Sequence, residues 1–386
     1  MFESTNRGRR RGICFARPSF FLVGLLIASC LAGCPGDWPG QEPINPFLDL
    51  PTIEMNGQPQ ALQYTVAPLG ELSQGQVIRL KVEGEAVQAA LILAADESSD
   101  EVGLLAGGGP PNSFFDYRVQ IAGRYYVYVL FDPAQPASRQ VATLTAMPGD
   151  PGFVPPARQP VLVVFEDHFL TDPGLVDPES FTNEDRQVVA EIEPIVRDGI
   201  VTQLRTIFAG TPVDVFQQGD VLPEGPVSRL TFSPKRELAA DSDPSADVVL
   251  LPIDVDRLEC QQRVVFGEML PRGTMLDPGN HVPDDSAIVY VGSFQGRGAE
   301  CRSAALDSLN NVILGLANTA AHEIGHLVGL YHVPLVDIMS RSPTQGFRRG
   351  LAFGRGQILI AGLDDTRVLT NVIQDPAFYF RANFGQ

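Results

Sequence analysis

Residues 319–332, TAAHEIGHLVGLYH, limit what this chain can fold into more than any other stretch. They hold three of its five histidines, His322, His326 and His332, with Glu323 and Gly329 at fixed offsets. On an α-helix, residues four apart share a face and lie about 6 Å from each other. His322 and His326 can therefore grip one ion from a single helix face. Glu323 follows the first of them directly, so it leans beside the ion rather than onto it, where a base acting on water belongs. No straight helix brings His332 round to the same ion. Gly329 supplies the break, because glycine enters the left-handed turn at a helix C-terminus without steric cost. Three neutral imidazoles leave a fourth position open, the layout of a catalytic rather than a structural zinc site. The fold must contain a helix that ends at 329 and a chain that turns back.

The 386 residues are too many for one small domain, and 44% hydrophobic content is enough to bury sizeable cores. With 32 Pro and 37 Gly a loop-rich globular protein is expected. A formal charge of −18 excludes nucleic acid as a partner, since so few Lys and Arg cannot build a basic face. The N-terminus reads as targeting. Arg7, Arg9, Arg10, Arg11 and Arg17 precede FFLVGLLIA (20–28), an apolar run too short to span a bilayer. LAGC, Leu31 to Cys34, then resembles the lipobox of bacterial lipoproteins, in which the cysteine is acylated and becomes the new N-terminus; IASC (27–30) fits the same pattern but cuts the apolar run short. We expect a signal peptide over 1–33, lipid on Cys34 and a Pro-rich tether over 34–50. The protein would then be exported to the bacterial cell envelope and held at its membrane by acyl chains, because so acidic a chain is repelled by anionic lipid. Cys14 and Cys30 would leave with the signal, so Cys260 and Cys301 remain, and two thiols in an exported protein are expected to pair.

Short β-branched or aromatic runs broken by Gly, Pro and Asp fill 51–147: QVIRLKV, AALILAA, FFDYRVQI, RYYVYVLF and QVATLTA. They predict a small all-β sandwich. IAGRYYVYVLF is similar to the closing hairpin of the jelly-roll-like domains that accompany many secreted bacterial peptidases. The run holds no cluster of ligands or nucleophiles, so packing or presentation is its expected role. A Pro-rich linker over 148–160 follows. From 161 to 386 strands and helices alternate: VLVVFED is a strand, 183–208 a helix interrupted by Pro194, and VDVFQ, SRLTF, DVVLLPI and AIVYVGSF are further strands. An apolar helix from about Ser303 to Gly329 carries the histidines, and a terminal helix is expected from Asp364 or Asp365. The class is α/β or α+β: a mixed twisted sheet with long helices, preceded by the sandwich.

HEIGHLVGLYH fits the HExxHxxGxxH motif of the metzincin clan of zinc endopeptidases at every defined position. VDIMS (336–340), whose Met339 stands seven residues past His332, is similar to the clan's Met-turn, with Met339 as the methionine beneath the metal. The resemblance covers roughly 158–386. It implies zinc held by His322, His326 and His332, Glu323 as general base, and Met339 as hydrophobic support. It also implies a protein or peptide substrate lying extended and antiparallel along an edge strand at the cleft rim, for which AIVYVGSF is the candidate. Val333 stands where better-known metzincin families carry a distinguishing residue, and no cysteine switch is visible, so no single family is indicated. A Cys260–Cys301 disulfide would bracket that strand and tie the 254–286 insertion to the rim. His168, and His281 beside Asp284 and Asp285, are either members of a second structural metal site or solvated loop residues. DSDPSAD (241–247) and TDPGLVDPE (171–179) offer oxygens of the kind Ca²⁺ takes, without the spacing of a defined loop. Tyr331 is expected to pack. The expected activity is zinc-dependent peptide-bond hydrolysis; the alternative is a non-catalytic surface lipoprotein or adhesin whose metal site is structural.

Overall fold

The computed structural model describes residues 53–56, 64–95, 102–107, 114–131, 136–170, 183–235, 237–238, 248–250, 263–265, 267–270, 283–294, 309–334, 337–340, 350–359 and 368–384. Alternation of period two dictates its first part. Strands β1 (Ile53–Asn56), β2 (Tyr64–Leu72), β3 (Val77–Glu83), β4 (Val87–Ala95), β5 (Val102–Gly107), β6 (Phe114–Arg118), β7 (Gly123–Phe131) and β8 (Val141–Pro148) follow in order. In β3 and β8 every second residue is buried. Ile78, Leu80 and Val82 lie beside Phe115 and Tyr117 of β6 and Leu144 and Ala146 of β8, and share one core with Tyr125, Val127 and Val129 of β7. β1, β8, β3 and β6 form an antiparallel four-stranded sheet. β5, β4, β7 and β2 belong to a second sheet. The chain after β8 contains no strand until Gln159, and Arg118 holds its start by donating to the carbonyls of Pro151 and Phe153, each at 2.7 Å.

The second part contains β9 (Gln159–Phe165), α1 (Asn183–Ile207), β10 (Val213–Gln217), β11 (Ser228–Ser233), β12 (Glu237–Leu238), β13 (Val248–Leu250), β14 (Arg263–Val265), β15 (Gly267–Leu270) and β16 (Ser286–Tyr290). α2 (Leu309–Leu327) follows. A five-stranded sheet runs β10-β9-β11-β16-β15, parallel except for β15, while β12, β14 and β13 form a small antiparallel sheet. Register aligns Phe165, Phe232, Val289 and Gly267 across four strands of the larger sheet. That row faces the helices, where Val196, Ile200 and Leu204 of α1 and Leu316, Ala320 and Ile324 of α2 complete a second core. α1 stays helical through Pro194. A side chain at Gly199 of α1 would strike Ile313 of α2, so glycine there permits the helices' close approach.

Two expectations are corrected. AIVYVGSF does not form an edge strand: β16 lies between β11 and β15, and β15 is the outer strand of the sheet among the described residues. The terminal helix expected from Asp364 or Asp365 is instead two strands, β17 (Gly356–Leu359) and β18 (Val368–Gln374), and a helix α3 that starts only at Pro376 and runs to Phe384. Asp375 caps α3 by accepting from the Ala377 and Phe378 amides at 3.0 and 3.2 Å, with Pro376 in the first helical position. β17 and β18 extend the sandwich's second sheet to β17-β18-β5-β4-β7-β2, with β18 parallel to β5. Strand β7 of that sheet is buried on both faces: Tyr125, Val127 and Val129 belong to the sandwich core, whereas Tyr126, Tyr128 and Leu130 belong to the core that contains α1 and α2. The fold is thus mixed α and β, with several sheets. No helix among the described residues is long and apolar enough to cross a membrane. Cys34, Cys260 and Cys301, with the expected lipid anchor and disulfide, lie outside the described residues.

Candidate metal centre

α2 is buried on nearly every side, from Val312 to Leu327, as its run of Leu, Ala, Ile and Gly demands. It ends where the spacing of the histidines needs it to end. Gly329 takes φ 89°, its amide donates to the His326 carbonyl and the Leu330 amide to the Gly325 carbonyl, both at 2.8 Å. This pair of bonds is the Schellman closure of a helix, and it turns the chain back over its own last turn. His332 thereby meets the two helix histidines.

The three Nε2 atoms form a near-equilateral triangle: 3.0 Å from His322 to His326, 3.0 Å from His322 to His332 and 3.1 Å from His326 to His332. Three nitrogens about 2.05 Å from one tetrahedral zinc would stand about 3.3 Å apart, so the triangle fits a single small cation. The other ring nitrogens determine the tautomers. His322 Nδ1 meets the Ile338 carbonyl at 2.7 Å and His326 Nδ1 the Leu330 carbonyl at 2.8 Å. A carbonyl accepts only from N–H, so both rings carry their proton on Nδ1 and turn an Nε2 lone pair to the centre. Lone pairs converging at such distances repel unless a cation lies between them. The three histidines are placed to hold a metal ion. Among the described residues no other group of three or more His, Cys, Asp or Glu side chains is so placed.

The turn at 337–340 lies beneath the triad. Ile338 supplies the acceptor for His322, and Met339, 1% exposed, sets its sulfur where a side chain on Gly325 would be. Gly325, between the two helix histidines, is thus small because Met339 fills its space. Asp337 braces the same turn: its carboxylate accepts from the Gly354 amide at 3.1 Å. Burial pushes that carboxyl up to about 6, against the lowering effect of the Gly354, Met339 and Ser340 amides and of nearby His322.

Glu323 is 1% exposed and lies against the outer strand: a Cβ added at Gly267 would fall on its carboxylate. The row Phe165, Phe232, Val289 therefore ends in a residue without a side chain, and the glutamate occupies the space left. The base candidate, the triad and the outer edge of the sheet meet at one place. Gly267 was detectable as a glycine interrupting the apolar run VVFGEML, a mark of close approach by another group. Gln374, whose side chain bonds both sides of Tyr331, has no such signal, being 42 residues beyond His332 and in no motif. Tyr331 packs, at 7% exposure.

The weaker candidates do not join the centre. His168 follows β9 in a left-handed conformation, φ 57°, outside the triad. Asp285 accepts from Ser228 Oγ at 2.8 Å, bracing the end of β11. His281 and the acidic turns at 171–179 and 241–247 lie outside the described residues. No protein-family model matches the chain, and no curated protein matches it significantly.

Proposed function

We propose that the protein is a zinc-dependent endopeptidase of metzincin type, exported and anchored to a bacterial membrane through lipid on Cys34. The observation that carries this reading is the meeting of three converging Nε2 atoms with a buried, non-ligating glutamate at the outer edge of a sheet. Imidazole donors suit zinc, and the likeness of HEIGHLVGLYH and VDIMS to the metzincin motifs makes zinc the choice among the metals they would accept. Zinc, when bound, would supply a Lewis acid that polarises the scissile carbonyl and lowers the pKa of water to near neutrality. His322, His326 and His332 hold the ion. Glu323 accepts the proton of the attacking water and delivers it to the nitrogen of the breaking amide, so the leaving amine departs neutral. Low solvent exposure keeps bulk water from competing for that carboxylate. Among the described residues β15 has no strand on its outer side, and its main-chain groups there would bind an extended substrate through its backbone rather than any one side chain.

A structural metal site in a surface module is the competing reading, and Glu323 separates the two. A structural site needs a fourth ligand and has no use for a base. Glu323→Gln is nearly isosteric and leaves the imidazoles untouched. It should retain the metal and lose about 10²–10⁴-fold in peptidase turnover. Wild-type turnover in that variant would favour the structural reading. Mass spectrometry of the mature, non-reduced protein tests the anchor and the bridge together: acylated Cys34 at the N-terminus and a Cys260–Cys301 disulfide are expected, while an unmodified Cys34 or two alkylatable thiols would remove one or the other.

A further inference from the structure

We propose that Gln374, on the strand that joins the sandwich sheet, is a positioning residue of the metal centre; this rests on the reading of the histidine triad as a metal site. The Gln374 side chain is fully buried and brackets Tyr331. Its Oε1 accepts from the Tyr331 amide at 2.7 Å and its Nε2 donates to the Tyr331 carbonyl at 2.9 Å. These two bonds fix two consecutive peptide planes. The first plane contains the Tyr331 N–H and the Leu330 carbonyl, and that carbonyl is the acceptor for His326 Nδ1 at 2.8 Å. The second contains the Tyr331 carbonyl and the His332 N–H, so it sets the direction in which His332 leaves the backbone. One side chain, 42 residues further along the chain, thus orients two of the three imidazoles.

Three features make the arrangement specific. Only an amide side chain both accepts and donates in one plane at this reach; an ionised Glu could only accept. Water cannot replace it, since Gln374 is fully buried and Tyr331 nearly so. The amide also projects from a rigid base: Gln374 pairs with Gly356 of β17, and its neighbour Ile373 pairs with Gly103 of β5 in the sandwich sheet. Tyr379 of α3 adds a parallel tie by donating its hydroxyl to the Val328 carbonyl at 2.7 Å. The segment after β17 therefore holds the return turn of the metal centre from the side of the sandwich.

The test compares Gln374→Ala with Gln159→Ala in the full chain. Gln159 is equally buried and its amide also donates, to Pro160, Ser228 and Pro283, three residues outside the triad and its return turn. Zinc affinity of each metal-free protein is read by competition with a chromophoric chelator. Outer-shell partners of this kind are worth about 10–100-fold in metal affinity, and we expect a loss of that size for Gln374→Ala and none beyond about twofold for Gln159→Ala. A melting point lowered in both variants with zinc affinity unchanged in both would overturn the proposal, leaving Gln374 a packing residue. Should the alanine variant not fold, Gln374→Glu, which keeps the acceptor and loses the donor, is expected to bind zinc several-fold more weakly on the same scale. A second readout needs no metal. Imidazole ¹⁵N resonances should show His326 as a single Nδ1–H tautomer in the wild type and as a tautomer mixture in Gln374→Ala; an unchanged tautomer would count against the proposal. Failure of the wild-type protein to take up zinc would overturn the metal reading itself, and the tautomer comparison would still decide the role of Gln374.

Discussion

Gly267 and Glu323 contend for one volume, and the outcome sets where the proposed base can stand. The row Phe165, Phe232, Val289 would continue into a fourth side chain on β15, but the Glu323 carboxylate occupies that position. Gly267→Ala should therefore displace the carboxylate without touching a ligand. A shift near 1 Å costs on the order of 10²-fold in rate, so kcat should fall at least about tenfold while zinc content and KM stay near wild type. A folded Gly267→Ala protein with normal kcat would show that Glu323 does not depend on this confinement. The residues placed to hold a metal ion were legible because helical geometry ties His322 to His326, and Gly329 explains His332. Gln374 was not legible, because its bonds to Tyr331 depend on a sheet that forms only in the folded chain.

Among the elements, the sandwich hairpin makes a separate, pH-dependent contribution to stability. The Tyr125 hydroxyl donates to the Ile121 carbonyl at the turn before β7, and its ring lies in the sandwich core. Burial pushes its pKa up to about 12, and burial also raises that of Tyr117 well above the ordinary tyrosine value. Both groups favour the neutral form in the fold. Their contribution is full below pH 10, the ordinary tyrosine value, and is lost as pH rises from 10 towards 12 and beyond; for Tyr125 a shift of two units corresponds to about 2–3 kcal/mol. Denaturant unfolding of the wild type between pH 9 and 12 should show this loss, and Tyr125→Phe should show a smaller one. Equal slopes would contradict the assignment. The strands of this part were readable because their alternation is local. β18 was misread as helix, although VLTNVIQ is rich in β-branched residues, because its partner β5 lies more than 260 residues earlier. β15 escaped notice as the rim because four residues beginning with Gly give no periodicity, whereas AIVYVGSF looks like a strand whether it is central or at an edge.

At the level of the whole molecule the two halves separated by the Pro-rich stretch share a sheet. β7 faces both cores, and the chain returns from the metal centre to add β17 and β18 beside β5. The composition change at 148–160 gives no sign of this return, since a sequence shows where a chain changes character and not where it comes back. The sandwich is thus placed to support the turn that carries His332, and a lesion in it should reach the histidine triad through β18. All of this depends on the claim that the triad is a catalytic metal centre. Elemental analysis of the purified full-length protein, with proteolysis of a denatured protein mixture followed through chelation and metal return, addresses that claim most directly. One zinc per chain is expected, with activity abolished by the chelator and restored by zinc. Proteolysis unaffected by removal of the metal, or a folded protein that takes up no transition metal at the triad, would contradict it.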